Sequence, residues 1–454
     1  MPELYLMRHA KAKRARGDMT DHQRPLRKRG RRQAAAMAQA LQRWQAPEGE
    51  IHVSDAARTR ETLDEIAGQL PELSLVERAR FNKALYTFDG QALLAWLKAL
   101  PDEADRVLVI GHNPALLELA HWLCGEAPQA LPTGSLLHVT LPDTPWPALE
   151  QHCAELAASL TPEEASHALF KRNTPAPPDL NKAGLARRIR GLLEHQYLMV
   201  RALEPGVTAG VDPEFLHQYR VNLRRSRAIG ESVLATTKVS GLKKRLKRLK
   251  RRAQATSELR DLDVFLESLA ETPPPLSPRS HQALQRWLQA CHRGQHEALC
   301  QQLSASDYAE EMQAWQGFIA SGDFRKALRK LSSKRIEAVL AERIARHDGD
   351  LAALSCDSAD AAFHELRKSM KRIRYLAELD PKRHRAFLSG LKRRQSLLGD
   401  VQDLCTRQAW IDAFSASSRN APRRKQECAA WRSALEEQKQ ALRDEVMALA
   451  PLGA

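Results

Sequence analysis

Two eleven-residue segments in the C-terminal part of the chain carry the same pattern of histidine and basic residues. HQYRVNLRRSR (217–227) aligns without a gap to HELRKSMKRIR (364–374), at an offset of 147 positions. The matching positions are His217, Arg220, Arg224 and Arg227 in the first segment and His364, Arg367, Lys371 and Arg374 in the second. On a helix they fall within an arc of about 80°, so each segment puts one histidine and three cations on a single face. Clustered cations repel one another unless an anion covers them. The repeat therefore predicts two related helical units that bind an anion, and a solvated basic face is the alternative.

Each repeat is followed by a second basic segment and a pair of acidic residues. LKKRLKRLKRR (242–252) has eight cations within positions 243–252, and LKRRQSLLGDVQDL (391–404) follows the second repeat. With Arg225 and Arg372, which flank the repeated faces, the further candidate binding residues are Lys243, Lys244, Lys247, Lys250, Arg251, Lys392 and Arg393. The acidic residues are Asp261, Asp263, Asp400 and Asp403. The sequence leaves open whether they pair with the arginines or bind a divalent ion.

The excess positive charge of the chain lies entirely in this repeated part. The 454 residues include 70 Lys and Arg against 55 Asp and Glu, a net charge of +15, yet residues 1–160 have 19 against 20. The remainder therefore carries a net charge of +16. Proteins that bind single-stranded nucleic acid combine cations with aromatic side chains on which the bases stack. Only Tyr219 and Tyr375 lie near the repeated faces, which favours a ligand made of phosphate alone.

A change in the hydrophobic pattern divides the chain into two kinds of structure. Up to about Leu141, short β-rich runs alternate with helical stretches, which is typical of an α/β fold. After about residue 180, apolar residues recur every three or four positions, as they do in helices. The segment TPPPLSP (272–278) interrupts the helical part. The sequence thus predicts a multidomain chain with an α/β domain over 1–160, a linker over 161–180, and an all-α domain over 181–452 with lobes at 181–272 and 279–452.

The cysteine pattern and the hydropathy indicate the cellular compartment of the protein. Its seven cysteines form no CxxC pair and no zinc-binding spacing, which is typical of a reducing compartment. No apolar run approaches the roughly 20 residues of a membrane helix. We therefore expect a cytoplasmic protein that has no membrane partner and needs no metal or other cofactor.

In the N-terminal part, two predicted strands each end at a histidine. LYLM (4–7) leads into Arg8 and His9, and RVLVI (106–110) leads into Gly111 and His112. A third strand ends at Ser54, and Arg58 follows it. A neutral imidazole can attack phosphorus and hold the phosphoryl group, while arginine binds phosphoryl oxygens through two nitrogens. This set of residues indicates phosphoryl transfer; the alternative is that each histidine caps a strand or packs in the core.

Four motifs in this part resemble the histidine phosphatase superfamily, and most closely its small SixA-type branch. They are LMRHAKA (6–12), DHQRPLRKRGRRQA (21–34), SDAARTRET (54–62) and VIGHNP (109–114). They occur in the family's order and imply a three-layer α/β fold similar to phosphoglycerate mutase. The resemblance implies that His9 is the phosphorylated nucleophile, that His112 is the second histidine of the pocket, and that Arg8, Arg24 and Arg58 bind the phosphate.

The resemblance fails at the residue that many family members use as a general acid. The corresponding stretch, ARFNKALYTFDG (79–90), contains no Glu, and Asp89 is its nearest carboxylate. A phosphoramidate such as phosphohistidine tolerates this loss better than an alkyl phosphate ester, whose alkoxide leaves poorly. We therefore expect a phosphohistidine phosphatase or a phosphatase of small phosphorylated molecules. The alternative is a degenerate domain that binds phosphate without turnover.

The helical part resembles the CHAD domain, the conserved histidine α-helical domain, over about residues 180–450. Both repeats match its H-x-x-R helix, and RDLD (260–263) and GDVQD (399–403) match its later acidic motifs. The family binds inorganic polyphosphate, and some members are found with polyphosphate granules. The resemblance therefore implies that polyphosphate, rather than nucleic acid, is the partner and that the protein is associated with such granules.

Overall fold

The chain forms two compact units. The computed structural model describes residues 2–180, 182–417 and 421–453. The first unit extends to Thr174 and also includes Pro205–Phe215, whereas the second contains Pro175–Glu204 and the chain from Leu216 onward. No helix within the described ranges is long and apolar enough to cross a membrane.

The first unit is built on one six-stranded mixed sheet. Its strands are β1 (Glu3–Arg8), β2 (Glu50–Ser54), β3 (Arg80–Asn82), β4 (Arg106–Gly111), β5 (Leu136–Thr140) and β6 (Glu155–Leu160). They lie in the order β3-β2-β4-β1-β5-β6. The first four strands are parallel, and β5 and β6 add antiparallel pairs. The carboxyl ends of β1, β2 and β4 therefore meet at one edge of the sheet, which is the edge where ligands bind in open α/β folds.

Helices cover both faces of this sheet because alternate strand residues are apolar on both sides. The helices of the unit are α1 (Lys28–Arg43), α2 (Ala57–Ala67), α3 (Leu75–Arg78), α4 (Gly90–Lys98), α5 (Ala115–Leu123), α6 (Pro162–Ala165) and α7 (His167–Phe170). Leu4 and Leu6 pack with the apolar residues of α4 and α5, while Tyr5 and Met7 pack with those of α1 and α2. The result is the predicted three-layer α/β domain.

Every element of the second unit is a helix over the residues that the structure describes. These helices are α8 (Leu185–Ala209), α9 (Pro213–Thr236), α10 (Leu242–Ala255), α11 (Ser257–Glu271), α12 (Pro278–Ser304), α13 (Ser306–Ala320), α14 (Gly322–Leu328), α15 (Ser333–Ala352), α16 (Asp360–Ala377), α17 (Arg385–Ser417) and α18 (Pro422–Met447). The first repeat lies on α9 and the second on α16. The predicted all-α fold of this part is confirmed.

The region predicted as a linker contains regular structure. Thr161 caps α6 through a reciprocal pair of hydrogen bonds with Glu164, and Leu169 of α7 is buried. Val211, far along the chain, packs into the core of the first unit. Both helices precede the Pro-rich stretch TPAPPD (174–179), and the cap that starts α6 depends on two individual side chains, which the composition of the segment does not reveal.

Candidate functional site

Two histidines and a serine meet at the carboxyl edge of the sheet. Because β1 pairs with β4 in parallel, Arg8 lies opposite Gly111, and the residues that follow them become neighbours. The ring centroids of His9 and His112 are 5.3 Å apart. Ser54, at the end of β2, has its Oγ atom 2.7 Å from Nε2 of His112. The histidine pair expected from the two strand ends is therefore present.

The environment of His9 suits a nucleophile. Its Nδ1 lies 2.8 Å from the carbonyl oxygen of Ala10, which can only accept, so Nδ1 carries the hydrogen and Nε2 holds the lone pair. Burial, together with the charges of Arg58, Arg8 and Arg24, lowers the pKa of His9 to about 3. The ring is thus neutral over the physiological pH range, which is the form that attacks phosphorus.

His112 is a neutral imidazole that is hydrogen-bonded through one of its two nitrogens. Burial, followed by the charge of Arg58, lowers its pKa to about 2, so this ring is neutral as well. Its Nε2 is hydrogen-bonded to Oγ of Ser54, and either atom can carry the hydrogen of this bond. Its Nδ1 is buried and has no hydrogen-bond partner. The ring of His112 therefore has one nitrogen that none of the described contacts uses.

Arginines surround His9 in a cavity of about 260 Å³. Its lining includes Arg8, Arg24, Arg58 and Lys11. Arg8 donates from Nη1 to the carbonyl oxygen of Leu131 at 2.7 Å, and Arg58 is only 2% exposed. The Nε atoms of both Arg8 and Arg58 are buried without a partner. Buried donors without an acceptor are costly, so these nitrogens indicate a place for an anion.

Asp21 contacts two of the arginines in this cavity. Its carboxylate accepts hydrogen bonds from Arg24 at 2.5 Å, from Arg58 at 3.0 Å and from the Tyr86 hydroxyl at 2.8 Å. Partial burial alone raises the pKa of Asp21, but the hydrogen bonds from Arg24 and Tyr86 and the charge of Arg58 hold it well below its usual range. This carboxylate is therefore ionised and cannot supply a proton near neutral pH.

The loop that follows His9 is fixed from three sides. The Thr62 hydroxyl accepts from the Ala10 amide at 3.1 Å, and the Gln33 side chain accepts from the Lys11 amide at 3.1 Å. Gly30 of α1 packs against the Lys11 backbone so closely that an added Cβ would lie 2.2 Å from its carbonyl oxygen. These supports hold the backbone carbonyl that selects the tautomer of His9.

The mouth of the cavity has an aromatic rim. Phe88 lines the cavity and is 46% exposed, which is unusual for such a large apolar side chain. Its ring centroid lies 5.5 Å from those of Tyr86 and His112. Asp89, the nearest carboxylate in sequence terms, instead caps α4 by accepting from the Gln91 amide at 2.9 Å. Among the described residues that line the cavity, Asp21 is the one carboxylate.

In the second unit, the two repeated faces approach each other through their long side chains. All eight residues of the repeats are half-buried. Burial, then the neighbouring charges of Arg367 and Arg224, lower the pKa of Lys371 to about 7. Arg224 also donates to the Tyr375 hydroxyl at 3.5 Å, so a residue of α9 touches a residue of α16. We call these eight residues, four from each repeat, the paired cationic faces.

Acidic side chains balance part of this charge. Burial raises the pKa of both Asp261 and Asp403. The charge of Arg220 partly lowers the pKa of Asp261, and the charge of Arg367 partly lowers that of Asp403. Asp263 lies 2.9 Å from Nε2 of His292, outside the paired faces. No group of three or more His, Cys, Asp or Glu with metal-binding geometry occurs among the residues that the structure describes. Asp261 and Asp403 thus lie near arginines of the paired faces, whereas Asp400 accepts a hydrogen bond from Ser396 at 3.5 Å.

Other predicted binding residues differ in what they contact. Arg251 forms an ion pair with Glu311 of α13 at 2.5 Å. Arg227 and Arg374 each contact an acid one turn later, Glu231 and Glu378 respectively. The remaining predicted cations on the two basic segments and beside the faces are exposed: Arg225, Lys243, Lys244, Lys247, Lys250, Arg372, Lys392 and Arg393.

Sequence reasoning missed several residues of the first site. Asp21 lies within a quoted motif but was assigned no role, and Ser54 was noted only as a strand end. Tyr86 and Phe88 belong to no recognised motif. They could have been found from their position after the short strand β3, because β3 pairs in parallel with β2 and the loop after it therefore lies at the same edge of the sheet as His9.

Comparison with known proteins agrees with both halves of this description. The family model for histidine phosphatase superfamily (branch 1) matches residues 4–109, and the model for the CHAD domain matches residues 191–412. An uncharacterized protein of Mycobacterium leprae is 31% identical over 169 residues, which is 34% of this chain and 99% of that protein.

Solved structures resemble the two parts separately. The structure of a putative phosphohistidine phosphatase SixA from Nakamurella multipartitia is 30% identical and covers 36% of this chain and 96% of its own, with a TM-score of 0.30. The CHAD domain from the plant Ricinus communis is 21% identical and covers 59% of this chain and 93% of its own, with a TM-score of 0.48. The chain belongs to the histidine phosphatase superfamily through its SixA-like N-terminal domain, and it carries a CHAD domain in the same polypeptide.

Proposed function

We propose that the first unit hydrolyses a phosphoryl group through a phosphohistidine intermediate at His9. The observation that carries this proposal is one cavity that contains the neutral imidazole of His9 together with Arg8 and Arg58, whose Nε atoms are buried without partners. We assign the Ser54 hydroxyl as the donor to His112 Nε2, which makes His112 Nδ1 a third donor. Three donors and one nucleophile match the three non-bridging oxygens and the phosphorus atom of a phosphoryl group.

The reaction divides into two displacements. In the first, the lone pair of His9 Nε2 forms a bond to phosphorus while the bond to the leaving group breaks, and the electron pair departs with that group. In the second, water attacks the phosphorus, the bond to Nε2 breaks, and phosphate leaves with His9 neutral again. The arginines and His112 stabilise the charge on the equatorial oxygens in both steps.

The lack of a proton donor limits the substrates. Asp21 is ionised and Asp89 caps a helix, so neither can protonate a departing alkoxide. The imidazole of phosphohistidine leaves more readily, because its ring can already carry a proton from solvent. We therefore propose phosphohistidine, or a small phosphorylated molecule with a similarly good leaving group, as the substrate.

Activity assays test this part of the proposal. Wild-type protein should release phosphate from a phosphohistidine peptide and from an aryl phosphate, whereas His9→Ala should release none from either. His121→Ala, which removes an exposed histidine of α5, serves as the matched control. Activity that survives unchanged in His9→Ala would contradict the proposed nucleophile. A folded wild-type protein with no activity at all would favour the phosphate-binding alternative.

We further propose that the paired cationic faces bind inorganic polyphosphate and hold the phosphatase near polyphosphate stores in the cytoplasm. Arg224, Arg367 and Lys371 lie close together and half-buried, a state that a polyanion stabilises. Tyr219, one of two aromatics near the faces, is buried and hydrogen-bonded to Tyr308, so it offers no stacking surface for a base. A ligand without bases fits these facts better than nucleic acid.

Binding measurements in rising salt test this second part. Polyphosphate should bind more tightly than single-stranded DNA of equal charge, and the affinity should fall steeply with salt because counterions are released. Charge reversal of Arg220 and Arg224 together should weaken binding more than His217→Ala. Tighter binding to DNA would refute the assignment of polyphosphate.

A further inference from the structure

Two cavities beside the paired cationic faces share the same pair of arginines. The inner cavity, of about 210 Å³, is bounded by α9, α15 and α16, and its lining includes Glu231, Arg343, Arg372 and Tyr375. The outer cavity, of about 620 Å³, lies between α15 and α16 and is lined by Arg343 and Arg372 together with Arg346. The two spaces therefore meet at Arg343 and Arg372.

The inner cavity begins where the paired cationic faces end. Tyr375 lines this cavity, and its hydroxyl accepts the hydrogen bond from Arg224. Arg372 immediately follows Lys371 on α16 but projects from the flank of the repeated face. Tyr375 thus belongs to the lining of the inner cavity and also contacts the paired cationic faces.

Arg343 is fixed between the two cavities. Its Nη1 donates to the backbone carbonyl oxygen of Arg372 at 3.0 Å, which holds the two guanidinium-bearing residues together. Burial, then the charge of Arg372, lowers the pKa of Arg343, and Glu231 opposes that shift. A half-buried arginine beside a second arginine is a place where a bound anion would relieve repulsion.

The lining of the outer cavity suits the same kind of ligand. Ser358 and Ser369 add hydroxyl donors beside the arginines. Asp350 and Glu365 also line it, but Glu365 forms an ion pair with Lys368. The cationic side chains, counted from the paired faces outward, follow the order Arg224, Arg372, Arg343 and Arg346.

We propose that a polyphosphate chain longer than the paired cationic faces continues past Tyr375 through both cavities, along Arg372, Arg343 and Arg346. This inference rests on the proposed binding of polyphosphate, and it adds a site on α15, a helix that carries neither repeat. It makes affinity depend on chain length, because only a long chain reaches the outer cavity while it also covers the paired faces.

A binding experiment with polyphosphates of two lengths distinguishes the two cavities from the paired cationic faces. The full-length protein carrying R343E and R346E is compared with one carrying K334E and R335E, which changes the same number of charges at exposed positions of the same helix. The ligands are tripolyphosphate and polyphosphate of about 100 units, at one salt concentration. We expect R343E/R346E to lose about tenfold more affinity for the long chain than K334E/R335E does, with equal affinities for tripolyphosphate.

Each other result has a definite meaning. Equal losses of long-chain affinity in the two variants would overturn the proposed path, because the effect would then be that of net charge. A matching loss for tripolyphosphate would also overturn it, because the cavities would then belong to the short-chain site. Failure of the wild-type protein to bind either ligand would instead refute polyphosphate binding itself.

Salt dependence supplies a second measurement that survives a folding defect at Arg343. Arg346 is exposed, so Arg346→Glu alone tests the outer cavity without disturbing packing. In Arg346→Gln, the slope of log affinity against log salt for the long chain should decrease by about 1, as expected when one phosphate contact is lost. An unchanged slope would show that Arg346 does not touch the ligand and would overturn the outer part of the path.

Discussion

Lys371 should make polyphosphate binding depend on pH well above neutrality. It lies half-buried among Arg224, Arg367 and Arg374, with Asp403 as the acid that opposes them, and its pKa is lowered to about 7. Bound polyphosphate would surround the ammonium group with negative charge and return its pKa toward the ordinary value of about 10.4. Binding therefore takes up a proton wherever the free protein has lost it, so affinity is greatest below pH 7 and falls as the pH rises.

The size of this effect follows from linkage between proton and ligand binding. With a pKa of about 7 in the free protein, the ratio of neutral to charged Lys371 rises from about 3 at pH 7.5 to about 100 at pH 9. The affinity should then fall about 20-fold over that interval, or about 1.8 kcal/mol. The window begins at pH 7.5 so that it stays above the range in which histidine side chains usually titrate.

The assay is equilibrium binding of fluorescent polyphosphate at constant ionic strength, measured at several pH values. Lys371→Arg is the decisive control, because arginine keeps its charge throughout this range and should bind with nearly constant affinity. Lys371→Met should bind weakly and also without dependence on pH. If Lys371→Arg shows the same 20-fold fall as the wild-type protein, the reasoning about this lysine is wrong.

Three further predictions concern the phosphatase unit. Ser54→Ala removes the hydrogen bond that sets the tautomer of His112. We expect kcat for a phosphohistidine peptide to fall about tenfold, which corresponds to the free energy of one hydrogen bond. A change in KM alone would contradict that role. The rings of His9 and His112 should stay neutral down to pH 5 in an NMR titration, because their pKa values are about 3 and about 2; a transition near pH 6.5 would contradict the described burial. Phe88→Ala should lower the preference for phosphohistidine over phosphoramidate, measured as the ratio of their kcat/KM values, about tenfold. The reason is that only phosphohistidine has a ring that can stack on Phe88. Val76→Ala changes another exposed apolar side chain and should leave this preference unchanged.

The sequence could predict those features that depend on local pattern. His9 and His112 each follow a buried strand, and parallel strands end at one edge, so their meeting was predictable. The repeated faces were predictable for a similar reason, since helical periodicity puts their cations together. The two fold classes follow from the same patterns.

Other features depend on contacts between distant segments that no pattern encodes. Asp21 binds Arg58, which lies 37 positions away, because a loop of irregular structure folds back onto α2. Arg343 reaches the backbone of Arg372 because α15 packs beside α16, and nothing in the periodicity of either helix specifies that neighbour. The short helices after Thr161 were missed because composition describes a segment, whereas capping depends on individual side chains.

The membership of Pro205–Phe215 in the first unit has a practical consequence for dividing the protein. The polypeptide passes between its two units three times, after Thr174, after Glu204 and after Phe215. A recombinant phosphatase that ends near residue 174 would lack Val211, which belongs to the core that the sheet shares with α1 and α2. A recombinant helical domain that starts at residue 180 would still contain Pro205–Phe215, and the first unit into which this segment packs would be missing. Engineering of either activity should therefore begin from the intact polypeptide, with point substitutions in place of truncations.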